Sequence, residues 1–159
     1  MADKQTILTW LEEVKDPEIP VLSLLDMGVI TAVDVSEDKV RVEMTPTFVG
    51  CPAIDYMKQD VKDVLAKHGI KEVEVDVNFK KSWSSDKLTE KGRQALKSFG
   101  LAPPPQTALI NDIDFLEHVA CPRCDGKNTE LRNPFGPTLC RSIHYCLDCR
   151  EAFEQFKPL

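Results

Sequence analysis

Two Cys-x-x-Cys pairs constrain this chain more than any other feature of its sequence. Cys121 and Cys124 form the first pair, and Cys146 and Cys149 form the second, with 21 residues between them. A Cys-x-x-Cys turn directs two thiolates at one ion, so two such turns complete a tetrahedral site. A segment of about 40 residues buries too little apolar surface to fold alone, and a bound metal supplies on the order of 10 kcal/mol. The spacing therefore predicts a four-cysteine zinc ribbon.

Other interpretations of these cysteines remain open from the residues alone. Two unrelated pairs of free thiols, a redox pair, and iron in a four-sulfur site are all chemically allowed, but the ligand type favours zinc. A closed four-cysteine site leaves no open coordination position and indicates a structural role. Cys140 and His144 lie nearby. Cys140 is either a free thiol near the metal or a buried ribbon residue, and His144 is expected to be a surface or packing residue.

Composition and charge argue against several classes of partner for this chain. The chain has 159 residues, 42% of them apolar, and a net charge of -6. It carries no basic stripe, which argues against nucleic acid or an anionic membrane as a partner. The N-terminus has no apolar run typical of a signal peptide, and no segment approaches the length of a membrane span. We therefore expect a soluble cytoplasmic protein, whose cysteines serve as metal ligands or in chemistry.

For the first 80 residues, the sequence pattern predicts the order helix, strand, strand, helix, strand. Helical periodicity covers residues 4–14, and alternating Val and Ile on both sides of Ser36-Glu37-Asp38 indicate a β-hairpin. A second helix is predicted for residues 53–68, and strict alternation over 71–79 indicates a third strand. This order predicts an α+β fold, a small sheet with helices packed on one face.

The remainder of the chain divides by composition. One further helix, weakened by Gly92, is predicted from Trp83 to Gly100. A Pro-rich stretch follows it. We predict an α+β domain over residues 1–99, a Pro-rich linker over 100–116, and the zinc ribbon over 117–159.

A lone cysteine marks the candidate reactive site. Cys51 precedes Pro52 at the predicted start of the second helix, where backbone amides favour an anion. Such a place lowers the pKa of a thiol, which suits soft-metal handling or covalent exchange. Asp16, Glu18 and Asp26 would add carboxylates if their loop folds over the thiol. The alternatives are that Cys51 plugs a corner of the core, Asp16 caps a helix end, and Glu18 is solvated.

Taken together, the motifs resemble a known family. "DPEIPVLSLLDMGVI", "TPTFVGCPAIDYM", "WSSDKLTEKGRQALKSFGLAPP" and the cysteine segment from "CPRC" to "CLDC" resemble the PaaD family of the bacterial phenylacetyl-CoA epoxidase system. The first part also resembles iron–sulfur assembly factors of the SufT type. The resemblance implies a non-enzymatic accessory role in maturing the oxygenase during phenylacetate degradation, with the iron–sulfur reductase subunit or the di-iron subunit as client. A non-catalytic structural subunit is the alternative.

The resemblance also assigns roles to residues. It implies that Cys51 is the reactive thiol and that Glu18, within the Asp16-to-Ile19 signature, belongs to its site. It leads us to expect a Tyr and a small polar residue where this chain has Phe48 and Val49. Iron or an iron–sulfur cluster would be held transiently, in addition to structural zinc. Because one thiolate is too few for a stable cluster, a homodimer that pairs two Cys51 residues is a further conjecture.

Overall fold

The computed structural model describes residues 2–37, 39–105 and 119–157. They form two compact units, Met1–Thr89 and Glu90–Leu159. None of the helices in these ranges is long and apolar enough to cross a lipid bilayer.

The first unit is a three-stranded sheet with two helices. Its elements are α1 (Lys4–Leu11), β1 (Ile30–Val35), β2 (Lys39–Met44), α2 (Ile54–Lys67) and β3 (Glu72–Val77). The hairpin strands β1 and β2 pair antiparallel, and β2 pairs parallel with β3. Helix α1 contacts α2 and β1, and α2 also contacts β3. The predicted α+β architecture is confirmed for this part of the chain.

Capping and burial explain the bounds of the two helices. The Asp3 carboxylate accepts a hydrogen bond from the Thr6 N–H at 2.8 Å and begins α1. Helix α1 ends at Leu11, earlier than the periodicity predicts, because Glu12 and Glu13 form a turn. Gly69, at a φ of +91°, follows α2 and ends it in the left-handed conformation that glycine adopts without a penalty.

The prediction of one helix from Trp83 to Gly100 is wrong. A short 3-10 turn covers Ser85–Lys87, and the helix α3 begins only at Glu90. Trp83 is instead a core residue of the first unit, 5% exposed, and its indole N–H donates to the Met27 carbonyl oxygen at 3.0 Å. Tertiary burial of the indole, which periodicity does not reveal, overrides the local helical pattern.

The second unit contains α3 (Glu90–Phe99) and four strands. These are β4 (Leu101–Ala102), β5 (Thr129–Asn133), β6 (Arg141–Cys146) and β7 (Ala152–Phe156), in the spatial order β4-β7-β6-β5. Strand β6 pairs antiparallel with both β5 and β7, and β4 pairs parallel with β7. One core cluster combines apolar side chains with two of the metal-site cysteines: Ala102, Val119, Cys121, Cys146 and Phe153.

The linker prediction falls largely outside the described residues. Within the predicted stretch 100–116, the first residues form β4, and residues 106–118 are not described. The domain bounds 1–99 and 117–159 therefore stay a prediction beside the observed division after Thr89.

Candidate functional site

Cys51 lies in the loop between β2 and α2. The loop leaves the sheet at Thr45, whose N–H donates to the Val29 carbonyl oxygen at 2.7 Å. Gly50 takes a φ of +84°, which turns the chain toward the helix. Helix α2 starts at Ile54 with Ala53 as its N-cap residue, so Cys51 precedes the cap by two positions. The Ile54 N–H donates to the Cys51 carbonyl oxygen at 3.3 Å.

The electrostatic surroundings of the Cys51 thiol oppose its ionisation. The side chain is partly buried. Burial is the largest effect and raises the pKa of Cys51 above its ordinary value, and the charges of Asp16 and Glu18 raise it further. Backbone N–H groups of Ala53 and Ile54 act in the opposite direction but do not prevail. The expectation of a lowered pKa is therefore wrong, because burial and two carboxylates outweigh the helix start.

Two of the three candidate carboxylates, those of Asp16 and Glu18, lie within electrostatic range of the thiol. Oδ1 of Asp16 accepts hydrogen bonds from the N–H groups of Glu18 and Ile19 at 2.8 and 2.9 Å, which fixes the turn that carries Glu18. Glu18 is exposed to solvent. Asp26 is used elsewhere, since its carboxylate accepts hydrogen bonds from the hydroxyl groups of Ser23 and Thr89 at 2.9 and 2.8 Å.

Two features of the loop that carries Cys51 were not predicted from the sequence. Thr45 is 1% exposed, and its hydroxyl group has no hydrogen-bond partner among the described residues. A cleft of about 130 Å³ separates the start of the same loop from the segment after β3, with Val49 on one wall and Phe79 on the other. Both of these apolar side chains are exposed, Val49 at 80% and Phe79 at 55%. The alternation over 71–79 predicts a strand that reaches Phe79, but β3 ends at Val77.

The second candidate site is the four-cysteine cluster, and the structure brings all four residues together. Every pair of their Sγ atoms lies within 4.8 Å. Between the two Cys-x-x-Cys pairs, the Sγ atoms of Cys121 and Cys149 lie 3.8 Å apart, and those of Cys124 and Cys146 lie 3.6 Å apart. It is the one group of three or more such ligands within the described ranges, so Cys51, Asp16 and Glu18 form no comparable ready-made metal site.

The two cysteine turns share one backbone pattern. The N–H of Cys121 donates to the Gly126 carbonyl oxygen, and the N–H of Cys146 donates to the Glu151 carbonyl oxygen, both at 2.9 Å. The residue after each turn is left-handed, with φ of 59° at Asp125 and 60° at Arg150.

Backbone N–H groups also reach the sulfur atoms. The Gly126 N–H donates to the Cys124 sulfur at 3.4 Å. A hydrogen bond from the Cys149 N–H lowers the pKa of Cys146 to about 7, whereas burial raises the pKa of Cys149 to about 12. The amides at Cys124 and Cys146 favour negative sulfur, the form in which cysteine binds a metal, whereas burial opposes it at Cys149.

The geometry of the cluster fits zinc. Zinc–sulfur bonds of about 2.3 Å in a tetrahedron place sulfur atoms about 3.8 Å apart, which agrees with the two distances between the pairs. Four thiolates match the preference of zinc for soft ligands. The ion would be held by all four cysteines, Cys121, Cys124, Cys146 and Cys149. No coordination position would remain open for a substrate, so the zinc ion would have a structural role.

Cys140 and His144 lie inside the ribbon. Cys140 is 9% exposed, as its buried interpretation predicted. His144 is 0% exposed, so it is a packing residue and not a surface one, and its ring stacks on Phe153 with centroids 5.3 Å apart. Burial lowers the pKa of His144.

Comparison with known proteins matches each of the two parts of the chain to a protein family. Residues 111–157 match the PaaD zinc beta ribbon domain family, and residues 4–77 match a family described as iron-sulfur cluster assembly protein. A protein of Escherichia coli (strain K12), named as a subunit of a "Putative 1,2-phenylacetyl-CoA epoxidase", is 32% identical over 147 residues, with 92% of this chain and 88% of that protein covered. The chain belongs to the PaaD family.

Other similar proteins match the first part of this PaaD-family chain. An Fe-S protein maturation auxiliary factor of Porphyromonas gingivalis is 40% identical over 89 residues, covering 55% of the chain and 84% of that protein. A crystal structure of a domain of unknown function from Bacillus anthracis is similar with a TM-score of 0.55 and 29% identity, covering 58% of the chain and 90% of that structure. This chain thus combines a segment that matches the iron-sulfur cluster assembly family with a PaaD zinc ribbon.

Proposed function

We propose that this PaaD-family protein is a non-catalytic accessory factor that helps assemble an iron or iron–sulfur centre in a subunit of the phenylacetyl-CoA epoxidase system. The observation that carries the proposal is the surroundings of Cys51, a partly buried thiol next to the charges of Asp16 and Glu18. The matches to iron–sulfur assembly and maturation proteins support it.

The causes of the raised pKa of Cys51 also affect how the thiol binds and releases a metal ion. Burial, the largest cause of the raised pKa, disfavours any isolated charge at the thiol, whereas the negative charges of Asp16 and Glu18 disfavour a thiolate and favour a cation, whether a proton or iron. When iron arrives, the thiol proton leaves to solvent and the sulfur becomes a ligand. When the client takes the iron by ligand exchange, the sulfur recovers a proton, and no change of oxidation state is required. Because the described residues place no closed ligand set there, a client can displace the ligands easily.

A nucleophilic enzyme is the less favoured alternative. Covalent catalysis by a thiol requires an adjacent base or a lowered pKa, and the pKa of Cys51 is raised. The nearby Asp16 is engaged with backbone N–H groups.

Reconstitution tests the proposal. The full-length chain is mixed with the iron-free reductase subunit or the iron-free di-iron subunit, iron and sulfide are supplied, and the iron content and absorption spectrum of the client are followed. We expect Cys51→Ser to abolish the acceleration of loading, and Glu37→Gln, which alters an exposed residue that does not contribute to the pKa of Cys51, to preserve it. Unaltered loading by a folded Cys51→Ser protein would refute the transfer role.

A structural subunit of the oxygenase is the second candidate, favoured by the word "subunit" in the name of the Escherichia coli relative. The mass of the purified active complex distinguishes the two. A stoichiometric copy of this chain in every active complex supports the structural role, whereas full activity after the chain has dissociated supports the accessory role.

A further inference from the structure

The loop between β5 and β6, residues 134–140, forms the exposed end of the ribbon hairpin, and we call it the tip loop. It lies at the opposite end of the hairpin from the metal cluster, because Thr129 pairs with Cys146 at the cluster end and Asn133 pairs with Ile143 at the loop end. Its side chains belong neither to the surroundings of Cys51 nor to the metal cluster.

Two large apolar side chains of the tip loop face solvent. Phe135 is 62% exposed and Leu139 is 64% exposed. Exposed aromatic and aliphatic side chains that stand close together on one loop are typical of an interaction surface, whereas isolated ones are common anywhere. Phe135 and Leu139 are four residues apart within a single tight loop.

Hydrogen bonds hold the tip loop in one conformation. The Phe135 N–H donates to Asn133 Oδ1 at 2.9 Å, and the Gly136 N–H donates to the Arg141 carbonyl oxygen at 2.8 Å. The Arg141 N–H in turn donates to the Thr138 carbonyl oxygen at 3.2 Å. A loop that is ordered before binding loses little conformational entropy on docking, so its apolar contacts contribute more to affinity.

A positive charge lies beside Phe135. The Lys157 ammonium group lies 5.0 Å from the centre of the Phe135 ring and donates to the Pro134 carbonyl oxygen at 3.1 Å. Arg132 lies over the Tyr145 ring at 5.1 Å but is paired with Glu130 at 3.1 Å, and Arg141 is paired with Glu154 at 2.9 Å, so both of these charges are offset. No acidic residue occurs anywhere in residues 131–147, although 26 of the 159 residues of the chain are Asp or Glu. Lys157 therefore supplies the positive charge beside a tip loop that carries no acidic residue, on a chain that is acidic as a whole.

We propose that the tip loop docks onto an acidic surface of the client subunit, with Phe135 and Leu139 inserted into an apolar recess and Lys157 facing client carboxylates. Complementary charge guides the encounter, and the buried apolar side chains provide the affinity. The identity of the partner rests on the proposed function, but the docking surface itself does not depend on what Cys51 does.

Binding measurements test this docking. The full-length zinc-loaded chain is titrated against the purified reductase subunit and, separately, the purified di-iron subunit by calorimetry. We expect Phe135→Ala and Leu139→Ala each to weaken binding to one of the two by roughly tenfold. Lys157→Glu should weaken it most at low salt, because screening removes the charge contribution. Zinc content and circular dichroism verify that each variant is folded.

Two matched variants separate docking from loading. Leu147→Ala changes another exposed leucine of the ribbon, 41% exposed and next to the metal cluster, and should leave the affinity unchanged. Cys51→Ser should bind normally yet fail to load iron, so a failure of the proposed function would leave the docking result standing.

Three outcomes would overturn the proposal. The first is unchanged affinity of folded Phe135→Ala and Leu139→Ala proteins for both subunits. The second is binding to duplex DNA or RNA that depends on Phe135, and the third is self-association in sedimentation experiments that Phe135→Ala abolishes, because each of these assigns the loop to a different partner.

Discussion

The local field at Cys51 determines what its thiol can do. A thiol that acts as a nucleophile near neutral pH needs stabilised negative charge, whereas burial and the carboxylates of Asp16 and Glu18 destabilise it here. The negative charges of the two carboxylates attract a metal cation, whereas burial disfavours any isolated charge. Cys51 is therefore better suited to holding iron briefly than to attacking a substrate.

Replacing Glu18 should make Cys51 ionise more easily. Glu18→Gln removes one negative charge, so the pKa of Cys51 falls, a larger fraction is thiolate at mildly alkaline pH, and alkylation by iodoacetamide is faster. Because Glu18 is exposed and its charge is screened, we expect no more than a few-fold change. Mass spectrometry of the peptide that contains Cys51 measures the rate as a function of pH.

Glu37→Gln is the control for this prediction, since Glu37 is also exposed but does not contribute to the pKa of Cys51. Equal pH profiles for Glu18→Gln and the unaltered protein would mean that the charge of Glu18 does not reach the thiol.

The buried hydroxyl group of Thr45 leads to a second prediction at this scale. Thr45→Val has nearly the same shape and removes a polar group that has no partner among the described residues. We expect the variant to be more stable by about 1 kcal/mol, because the desolvation cost of the hydroxyl group disappears. The midpoint of urea unfolding, followed by the fluorescence of Trp10 and Trp83, measures the change, since both tryptophans lie in the first unit.

Thr89→Val provides the opposite case. The Thr89 hydroxyl group donates to Asp26 Oδ1 at 2.8 Å, so this variant should lose about 1 kcal/mol. Loss of stability in Thr45→Val would show that its hydroxyl group finds a partner in solution.

At the scale of structural elements, the two cysteine turns depend on one left-handed residue each. Arg150 adopts a φ of 60°, which costs a residue with a Cβ atom roughly 1–2 kcal/mol relative to glycine. The conformation is retained because the turn must direct two sulfur atoms at one ion.

Substitutions at Arg150 should change zinc retention in opposite directions. Arg150→Gly removes the backbone strain and should slow the release of zinc, whereas Arg150→Ile adds a β-branched side chain that tolerates this φ poorly and should accelerate it. Transfer of zinc to a coloured chelator measures both rates. Identical rates for the two variants would contradict a role of this backbone conformation in holding the metal.

At the scale of the whole molecule, the two units obtain their stability from different sources. The first unit buries a core of aliphatic side chains between its sheet and helices, including Ile7, Leu11, Val42, Val61 and Leu65. The ribbon has a small core to which Cys121 and Cys146 themselves belong, so metal binding and folding are coupled there.

Removal of zinc should therefore unfold one unit and spare the other. With a strong chelator, we expect the amide signals of residues 119–157 to collapse in nuclear magnetic resonance spectra, while the indole signals of Trp10 and Trp83 persist. The unaltered chain and Cys51→Ser should both contain about one zinc per chain, as a closed four-cysteine site requires. Retention of ribbon signals without metal would refute this coupling.

Periodicity and residue spacing alone were enough to predict several structural elements of this protein and its metal cluster. The strand alternation on both sides of Ser36 and Glu37, the apolar stripe of α2 and the two Cys-x-x-Cys pairs each predicted what the structure contains. These features are local, because side-chain period and ligand spacing follow from backbone geometry over a few residues.

Only the tertiary structure decided the rest. The pKa of Cys51 depends on carboxylates far earlier in the sequence, those of Asp16 and Glu18, and Trp83 leaves its helical pattern to bond Met27 in the core. The exposure of Phe135 and Leu139 likewise depends on how the hairpin closes. Burial and electrostatic potential are sums over neighbours in space, and a single sequence does not specify which residues those neighbours are.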